Sequence, residues 1–161
     1  MRLLLSFLLS LIVSSCGDPQ AKANLDAANA FLSGNAKHAG VITLPSGLQY
    51  KVLRAGAPGG ASPTPSQQVT VNYEGSLLNG QVFDSTYKRG EPATFQVGGL
   101  IPAWTEALQK MKPGDQWMLY VPPKLGYGEK GAGGVIPPNA ALVFKIELIA
   151  ILPDDASVGR G

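Results

Sequence analysis

The clearest pattern along the chain is an alternation of side-chain types over residues 68–78. Apolar, aromatic or small residues occupy the odd positions from Val69 to Leu77, and polar residues lie between them. Because successive side chains of a strand point to opposite faces, this period of two predicts a half-buried strand. Asn79-Gly80 follows, and this pair favours a type I′ turn, which needs positive φ at both central residues. We therefore predict a β-hairpin whose second strand covers residues 81–85.

Further segments have the alternation or composition of strands, at residues 46–53, 94–97, 115–121 and 141–152. Two stretches rich in proline and glycine, residues 56–66 and 122–140, separate them and are predicted loops.

A helical pattern begins near Ile101 in the same region. Ile101, Trp104, Leu108 and Met111 recur at the spacing of one helix face. Pro102 suits a first helical turn, where its missing N–H costs nothing, and Pro113-Gly114 ends the pattern. One short helix against one face of an antiparallel sheet is an α+β architecture.

The N-terminus has the pattern of an export signal. Arg2 precedes an apolar run from Leu3 to Val13, which is much shorter than the ~20 residues of a membrane span. Residues 13–16, Val-Ser-Ser-Cys, resemble the bacterial lipobox, in which the signal is cleaved before the cysteine and the cysteine is lipidated. We therefore predict a lipoprotein signal peptide over residues 1–15 and lipidation of Cys16. The alternative is an ordinary cleavage site beside an incidental cysteine.

Residue 17 is Gly rather than the Asp that resembles an inner-membrane retention signal, which favours an outer-membrane anchor facing the periplasm. Residues 16–45 are polar and alanine-rich and are predicted to be a tether with a short helix, limited by Gly34 and Gly40. Residues 46–152 form the predicted main domain. Residues 153–161 are a predicted flexible tail.

Composition excludes several kinds of chemistry. The chain has 161 residues, of which 45% are hydrophobic, so it is long enough for one domain with a core. Its 13 Lys and Arg nearly balance its 11 Asp and Glu, and no basic patch indicates a nucleic-acid partner. With one Cys and one His, it has no disulfide, no zinc-type ligand cluster and no Ser–His–Asp triad in the main domain. No cofactor motif, such as a phosphate-binding GxxxxGK[ST] loop, is present.

Four separated motifs carry a family resemblance that covers about residues 46–152. They are YEGSLLNGQVFDS from Tyr73, GLIPAW from Gly99, PPKLGYGEKGAGGVIPPNA from Pro122 and LVFKIELI from Leu142. Together they closely resemble the FK506-binding (FKBP) type of peptidyl-prolyl cis–trans isomerases. The upstream LPSGLQYKVL resembles the macrophage infectivity potentiator subgroup of bacterial members.

The resemblance implies a sheet of about five antiparallel strands curled around one short helix, and catalysis of X–Pro rotation without a cofactor or metal. It implies that the polar residues at the reacting amide are Asp84, Tyr73 and Tyr127. It implies a substrate pocket with Trp104 as its floor, further lined by Phe83, Phe95, Leu100, Ile101, Val135, Ile136 and Phe144. The expected ligands are proline-containing polypeptides and macrolide inhibitors of the FK506 type. Only about thirty residues separate Cys16 from the domain, so we expect the subgroup's dimerisation region to be absent and the protein to be a monomer.

Simpler interpretations apply to the same residues. Aromatic residues in a small α+β domain usually form the core, and strand packing alone explains Trp117. Asp115, Glu106 and Glu91 are expected to be surface charges. At the level of function, the alternative to an isomerase is a chaperone module that binds proline-containing segments and catalyses only incidentally. A weaker alternative is a surface interaction lipoprotein with a degenerate domain.

Overall fold

The computed structural model describes residues 17–154. The predicted signal peptide, Cys16 and residues 155–161 lie outside the described residues. The helices are α1 (Pro19–Asn35), α2 (Thr86–Arg89) and α3 (Pro102–Leu108). The strands are β1 (Val41–Thr43), β2 (Gln49–Arg54), β3 (Gln68–Leu77), β4 (Val82–Ser85), β5 (Ala93–Gln96), β6 (Gln116–Val121) and β7 (Leu142–Ile151).

All of these strands belong to one antiparallel sheet, in the order β1-β2-β6-β7-β3-β4, with β5 also paired to β3. The α+β class is confirmed, but the described chain has seven strands rather than about five. Six of these strands match the six segments that the sequence pattern predicts, and the seventh is β1, a three-residue edge strand that the pattern does not reveal. The long strand β3 pairs with three neighbours, because β4 pairs with its C-terminal part and β5 with its N-terminal part on the same side.

The hairpin at Asn79-Gly80 is present, but its turn differs from the predicted type I′. Gly80 has φ of 87°, whereas Asn79 is not among the residues with positive φ. The Gly80 N–H donates to the Leu77 carbonyl and the Leu77 N–H to the Gln81 carbonyl. This is the pattern of a three-residue loop, in which a type I turn is followed by one left-handed glycine. Asn79 acts through its side chain instead, accepting a hydrogen bond from the Gln81 N–H at 2.9 Å.

The core lies between one face of the sheet and α3. The alternating apolar residues of β3, β6 and β7 are buried, as the period of two predicts. The helix contributes four buried residues to the same cluster, Ala103, Trp104, Ala107 and Leu108. This packing holds α3 in a fixed position and thereby fixes Trp104, its third residue.

Helix α1 is longer than predicted and packs against the opposite face of the sheet. It continues through Gly34 to Asn35, because a single glycine near a helix end costs only about 1 kcal/mol. The centroid of the Phe31 ring lies 6.1 Å from that of Tyr120. Tyr120 lies between core-facing residues of β6, so its side chain points to the other face of the sheet. Buried Asn35 donates from Nδ2 to Gln49 Oε1 at 2.8 Å. No helix within residues 17–154 has the length and apolar character needed to cross a membrane.

Asp115 is not a surface charge. Only 7% of it is exposed, and its carboxylate accepts hydrogen bonds from the Gly56 N–H at 2.5 Å and the Lys112 N–H at 2.9 Å. The side chain therefore joins the loop after β2 to the turn before β6. Its role is structural, which its sequence context of Pro113-Gly114 does not reveal.

Candidate active site

A cavity of about 230 Å³ lies over the N-terminal end of α3, between the helix and the sheet. Its walls are mostly aromatic, with one carboxylate and two tyrosines as the polar groups. The lining residues are Tyr73, Phe83, Asp84, Phe95, Leu100, Ile101, Trp104, Tyr127 and Phe144. The structure thus brings together residues from β3, β4, β5, α3 and β7 that are up to 71 positions apart in the chain.

Trp104 is held in place by edge-to-face contacts with three other aromatic rings. Its ring centroid lies 4.9 Å from that of Tyr73, 5.3 Å from Phe144 and 6.0 Å from Phe95, at interplanar angles of 85–87°. Such tilted pairs are favoured by the positive edge and negative face of aromatic rings. Trp104 is 4% exposed, so its indole is a rigid apolar surface beneath the cavity.

A second aromatic pair depends on a glycine. The rings of Phe83 and Phe144 meet edge to face at 5.6 Å, directly beside Gly75 of β3. A Cβ at residue 75 would lie 2.6 Å from Phe83 Cζ and 2.7 Å from Phe144 Cε1. Gly75 therefore leaves the space into which both rings pack.

The polar groups of the cavity form one connected cluster. The Tyr73 hydroxyl donates to Asp84 Oδ2, and Arg89 donates to Asp84 Oδ1 in an ion pair. The Arg89 guanidinium also lies over the Tyr73 ring, with Cζ 5.8 Å from the centroid. Ser85 caps α2 by accepting from the Lys88 N–H, and this single helical turn carries Arg89 back towards Asp84.

This cluster determines the charge state of its members. Partial burial would raise the pKa of Asp84, but hydrogen bonds from Tyr73 and Arg89, together with the Arg89 charge, outweigh burial and hold that pKa below its ordinary value. The pKa of Tyr73 is raised, mainly by burial and secondly by the hydrogen bond to Asp84. At neutral pH the cavity therefore contains an ionised carboxylate and a protonated phenol.

All of the predicted pocket residues except Val135 and Ile136 line the cavity. Ile136 is 6% exposed and belongs to the core cluster, whereas Val135 is 48% exposed on the loop before β7. Tyr127 lies on the same long loop and is 40% exposed, so its ring forms part of the cavity rim.

Sequence reasoning missed Arg89, which is five residues beyond Asp84. The available signal was Ser85, a favoured helix N-cap, followed by a short segment that ends at Gly90 in the left-handed conformation. A helix of four residues is too short to produce a periodic pattern. Among residues 17–154, no cluster of three or more His, Cys, Asp or Glu could hold a metal ion.

Comparison with known proteins places this geometry in a family. The family model described as "FKBP-type peptidyl-prolyl cis-trans isomerase" matches residues 59–149, and "Domain amino terminal to FKBP-type peptidyl-prolyl isomerase" matches residues 15–52. The chain is 59% identical over 128 residues to the peptidyl-prolyl cis-trans isomerase Mip of Coxiella burnetii, covering 80% of this chain and 55% of that protein. It is 52% identical over 132 residues to the outer membrane protein MIP of Legionella longbeachae, covering 82% and 56%.

Solved structures agree with the sequence comparison. The crystal structure of FkpA from Escherichia coli superposes with a TM-score of 0.79 at 42% identity, covering 83% of this chain and 62% of that one. A peptidyl-prolyl cis-trans isomerase from Pseudomonas syringae superposes with a TM-score of 0.77 at 36% identity, covering 86% of this chain and all of that one. The chain spans little more than half the length of the curated relatives described above. The chain belongs to the FKBP-type peptidyl-prolyl cis-trans isomerase family.

Proposed function

We propose that the protein catalyses cis–trans isomerisation of X–Pro peptide bonds in exported polypeptides. The observation that carries the proposal is the aromatic cavity itself. Its volume of about 230 Å³ is below the ~300–1,000 Å³ typical of ligand pockets, which suits one proline ring and its flanking carbonyls. Family membership supports the same assignment.

The reaction needs no nucleophile. Rotation about the amide has a barrier of about 18–20 kcal/mol, because resonance gives the C–N bond partial double-bond character. The twisted amide loses that resonance and carries less charge on its carbonyl oxygen. A pocket with few water molecules therefore favours the twisted form over the planar one, since the planar amide loses more solvation on entering it.

Each of the main lining residues has its own role in this reaction. The proline ring rests on the Trp104 indole between the aromatic walls. Ile101 immediately precedes α3, and its N–H has no hydrogen-bond acceptor within residues 17–154, so it donates to a substrate carbonyl. The Tyr127 hydroxyl donates to another carbonyl from the rim. Asp84 holds the Tyr73 ring through the hydroxyl and places a fixed negative charge near the rotating amide.

A matched pair of substitutions tests the site. Trp104 and Trp117 are both buried, and neither Nε1 has a hydrogen-bond partner within residues 17–154, but only Trp104 lines the cavity. Trp104→Leu should greatly lower kcat/KM for an X–Pro peptide, whereas Trp117→Leu should leave it near the wild-type value. Circular dichroism checks that both variants fold. Equal losses in both folded variants would contradict the assignment of the cavity.

A second pair tests the carboxylate. Asp84→Ala should lower kcat/KM, while Glu91→Ala removes an exposed charge outside the cavity and should not. If the wild-type chain binds proline peptides without accelerating exchange, the chaperone alternative replaces the isomerase proposal.

We propose further that Cys16 is lipidated and that the anchor lies in the outer membrane, facing the periplasm. The lipobox-like residues 13–16 support this, as does a relative named as an outer membrane protein. Labelling cells with a fatty-acid analogue should mark the wild type and not Cys16→Ser. A mature N-terminus at any residue other than Cys16 would contradict it.

We also propose a monomer that binds macrolides of the FK506 type in the cavity. Packing of α1 against its own sheet through Phe31 and Asn35 supports the monomer, because α1 then covers part of that face itself. Sedimentation equilibrium tests the mass. Binding of such a macrolide to the wild type, measured by calorimetry and lost in Trp104→Leu, tests the ligand.

A further inference from the structure

Two asparagine side chains join α1 to the loop that carries Tyr127. Asn24 of α1 donates from Nδ2 to the Pro138 carbonyl at 2.8 Å. Asn139 donates from Nδ2 to the Ala21 carbonyl of α1 at 3.1 Å. One donor thus lies on α1 and the other on the loop, and we call these two hydrogen bonds the amide bracket. All four residues are half-buried, so the two bonds are partly shielded from water.

The backbone of Asn139 extends this connection to the cavity rim. Its N–H donates to the Gly128 carbonyl at 2.8 Å, closing the loop on itself immediately after Tyr127. Asn139 has φ of 55° and is the one non-glycine residue with positive φ within residues 17–154. Asparagine tolerates this conformation better than most residues, and it alone also supplies a side-chain amide donor there. A continuous path therefore runs from Ala21 through Asn139 and Gly128 to Tyr127.

We infer that the amide bracket positions the Tyr127 turn at the cavity rim, because it holds this turn to α1 through Asn139 and Asn24. This inference rests on the proposed isomerase function. Neither asparagine lines the cavity, so both act on substrate only through the loop. The bracket assigns α1 a part in peptide binding in addition to its packing against the sheet.

Asparagine-to-aspartate substitutions test the bracket with little change of shape. Asn139→Asp keeps a side chain that tolerates positive φ but places an oxygen against the Ala21 carbonyl oxygen. Asn24→Asp does the same opposite Pro138, while it keeps the oxygen that accepts from Gln20 at 2.8 Å. Asn79→Asp is the matched control. Asn79 and Asn24 both line a groove beside α1, but Asn79 Oδ1 accepts from the Gln81 N–H, a bond that aspartate retains.

The experiment measures two quantities on the full chain and each variant: hydrogen exchange of the Asn139 amide, and kcat and KM for an X–Pro peptide. Loss of one side-chain hydrogen bond should lower the protection of that amide about 2- to 12-fold in Asn139→Asp and Asn24→Asp. In both variants KM should rise, by a factor no larger than the fall in amide protection, while kcat should stay within about twofold of wild type. Asn79→Asp should change neither quantity.

Three results would overturn the inference: unchanged protection of the Asn139 amide, unchanged KM in both bracket variants, or equal effects in Asn79→Asp. Failure of the proposed function is distinguishable from these. An inactive wild-type chain would refute isomerase activity, whereas amide exchange would still decide whether the bracket holds the loop to α1.

Discussion

Replacing Gly75 with alanine tests how the aromatic walls of the cavity are packed. The added Cβ would lie 2.6 Å from Phe83 Cζ and 2.7 Å from Phe144 Cε1. Non-bonded carbons rest at about 3.5–4.0 Å, so the rings must yield by roughly 0.9 Å. Phe144 is only 3% exposed, whereas Phe83 is half-buried. We therefore expect Phe83 to move most, into the cavity that it lines.

The energetic cost follows from two opposing effects. Overpacking of a close-packed site costs about 1–3 kcal/mol. Alanine restricts the unfolded chain more than glycine does, which returns about 0.4–1 kcal/mol. The net loss in the free energy of unfolding is therefore at most about 2.6 kcal/mol, and about 1.3 kcal/mol at the middle of both ranges. For a chain of this length the middle value corresponds to a fall in Tm of about 3–5 °C.

Urea unfolding of wild type, Gly75→Ala and Gly34→Ala measures this effect. Gly34 lies in α1, and apart from its chain neighbours and the backbone of its own helix, no described atom lies within 4 Å of the position that an alanine methyl group would take there. The same glycine-to-alanine substitution at residue 34 should therefore stabilise the folded protein by up to about 1 kcal/mol. The two variants should shift in opposite directions with similar m-values. The kcat/KM of Gly75→Ala should also fall, because Phe83 occupies substrate space. A Gly75→Ala protein as stable as Gly34→Ala would refute the packing argument.

Three further predictions concern the polar groups. Because the pKa of Asp84 is lower in the folded state, the Asp84 carboxylate stabilises the fold above about pH 4, and this stabilisation is lost as the pH falls through the lowered pKa. Arg89→Met should raise the pKa of Asp84 in a carboxyl NMR titration, and an unchanged pKa would contradict the ion pair. Asp115→Ala should lose about 2–4 kcal/mol in urea unfolding, because it leaves two backbone N–H groups unpaired, whereas Glu91→Ala should change by less than about 0.5 kcal/mol. Tyr127→Phe should lower kcat/KM about 2- to 12-fold at unchanged Tm, and wild-type kinetics would exclude its hydroxyl from substrate binding.

The regular parts of the fold were predictable from periodicity. Strand β3 and helix α3 carry clear periods of two and of about 3.6, and both have their predicted faces buried. Short elements were not predictable in the same way. Strand β1 has three residues and α2 has four, so their positions depend on pairing with β2 and on the Ser85 cap rather than on a repeating pattern.

The aromatic part of the site was predictable because several motifs together assign it, and eight of the nine residues that line the cavity lie in those motifs. The polar neighbours depend on contacts that sequence spacing does not fix. Arg89 reaches Asp84 because α2 makes one turn and ends there. Asn139 acts through its φ of 55° and its bond to α1, 118 residues away. Such partners become visible only when the chain is folded.

The central claim is that the cavity accelerates X–Pro rotation. NMR magnetisation exchange between the cis and trans forms of short Xaa–Pro peptides measures this directly, since the uncatalysed exchange takes tens of seconds or longer. We predict cis–trans exchange cross-peaks when a catalytic amount of the full chain is added, with a rate proportional to its concentration. Absence of exchange for every Xaa, in a sample whose circular dichroism shows folded protein, would contradict the account.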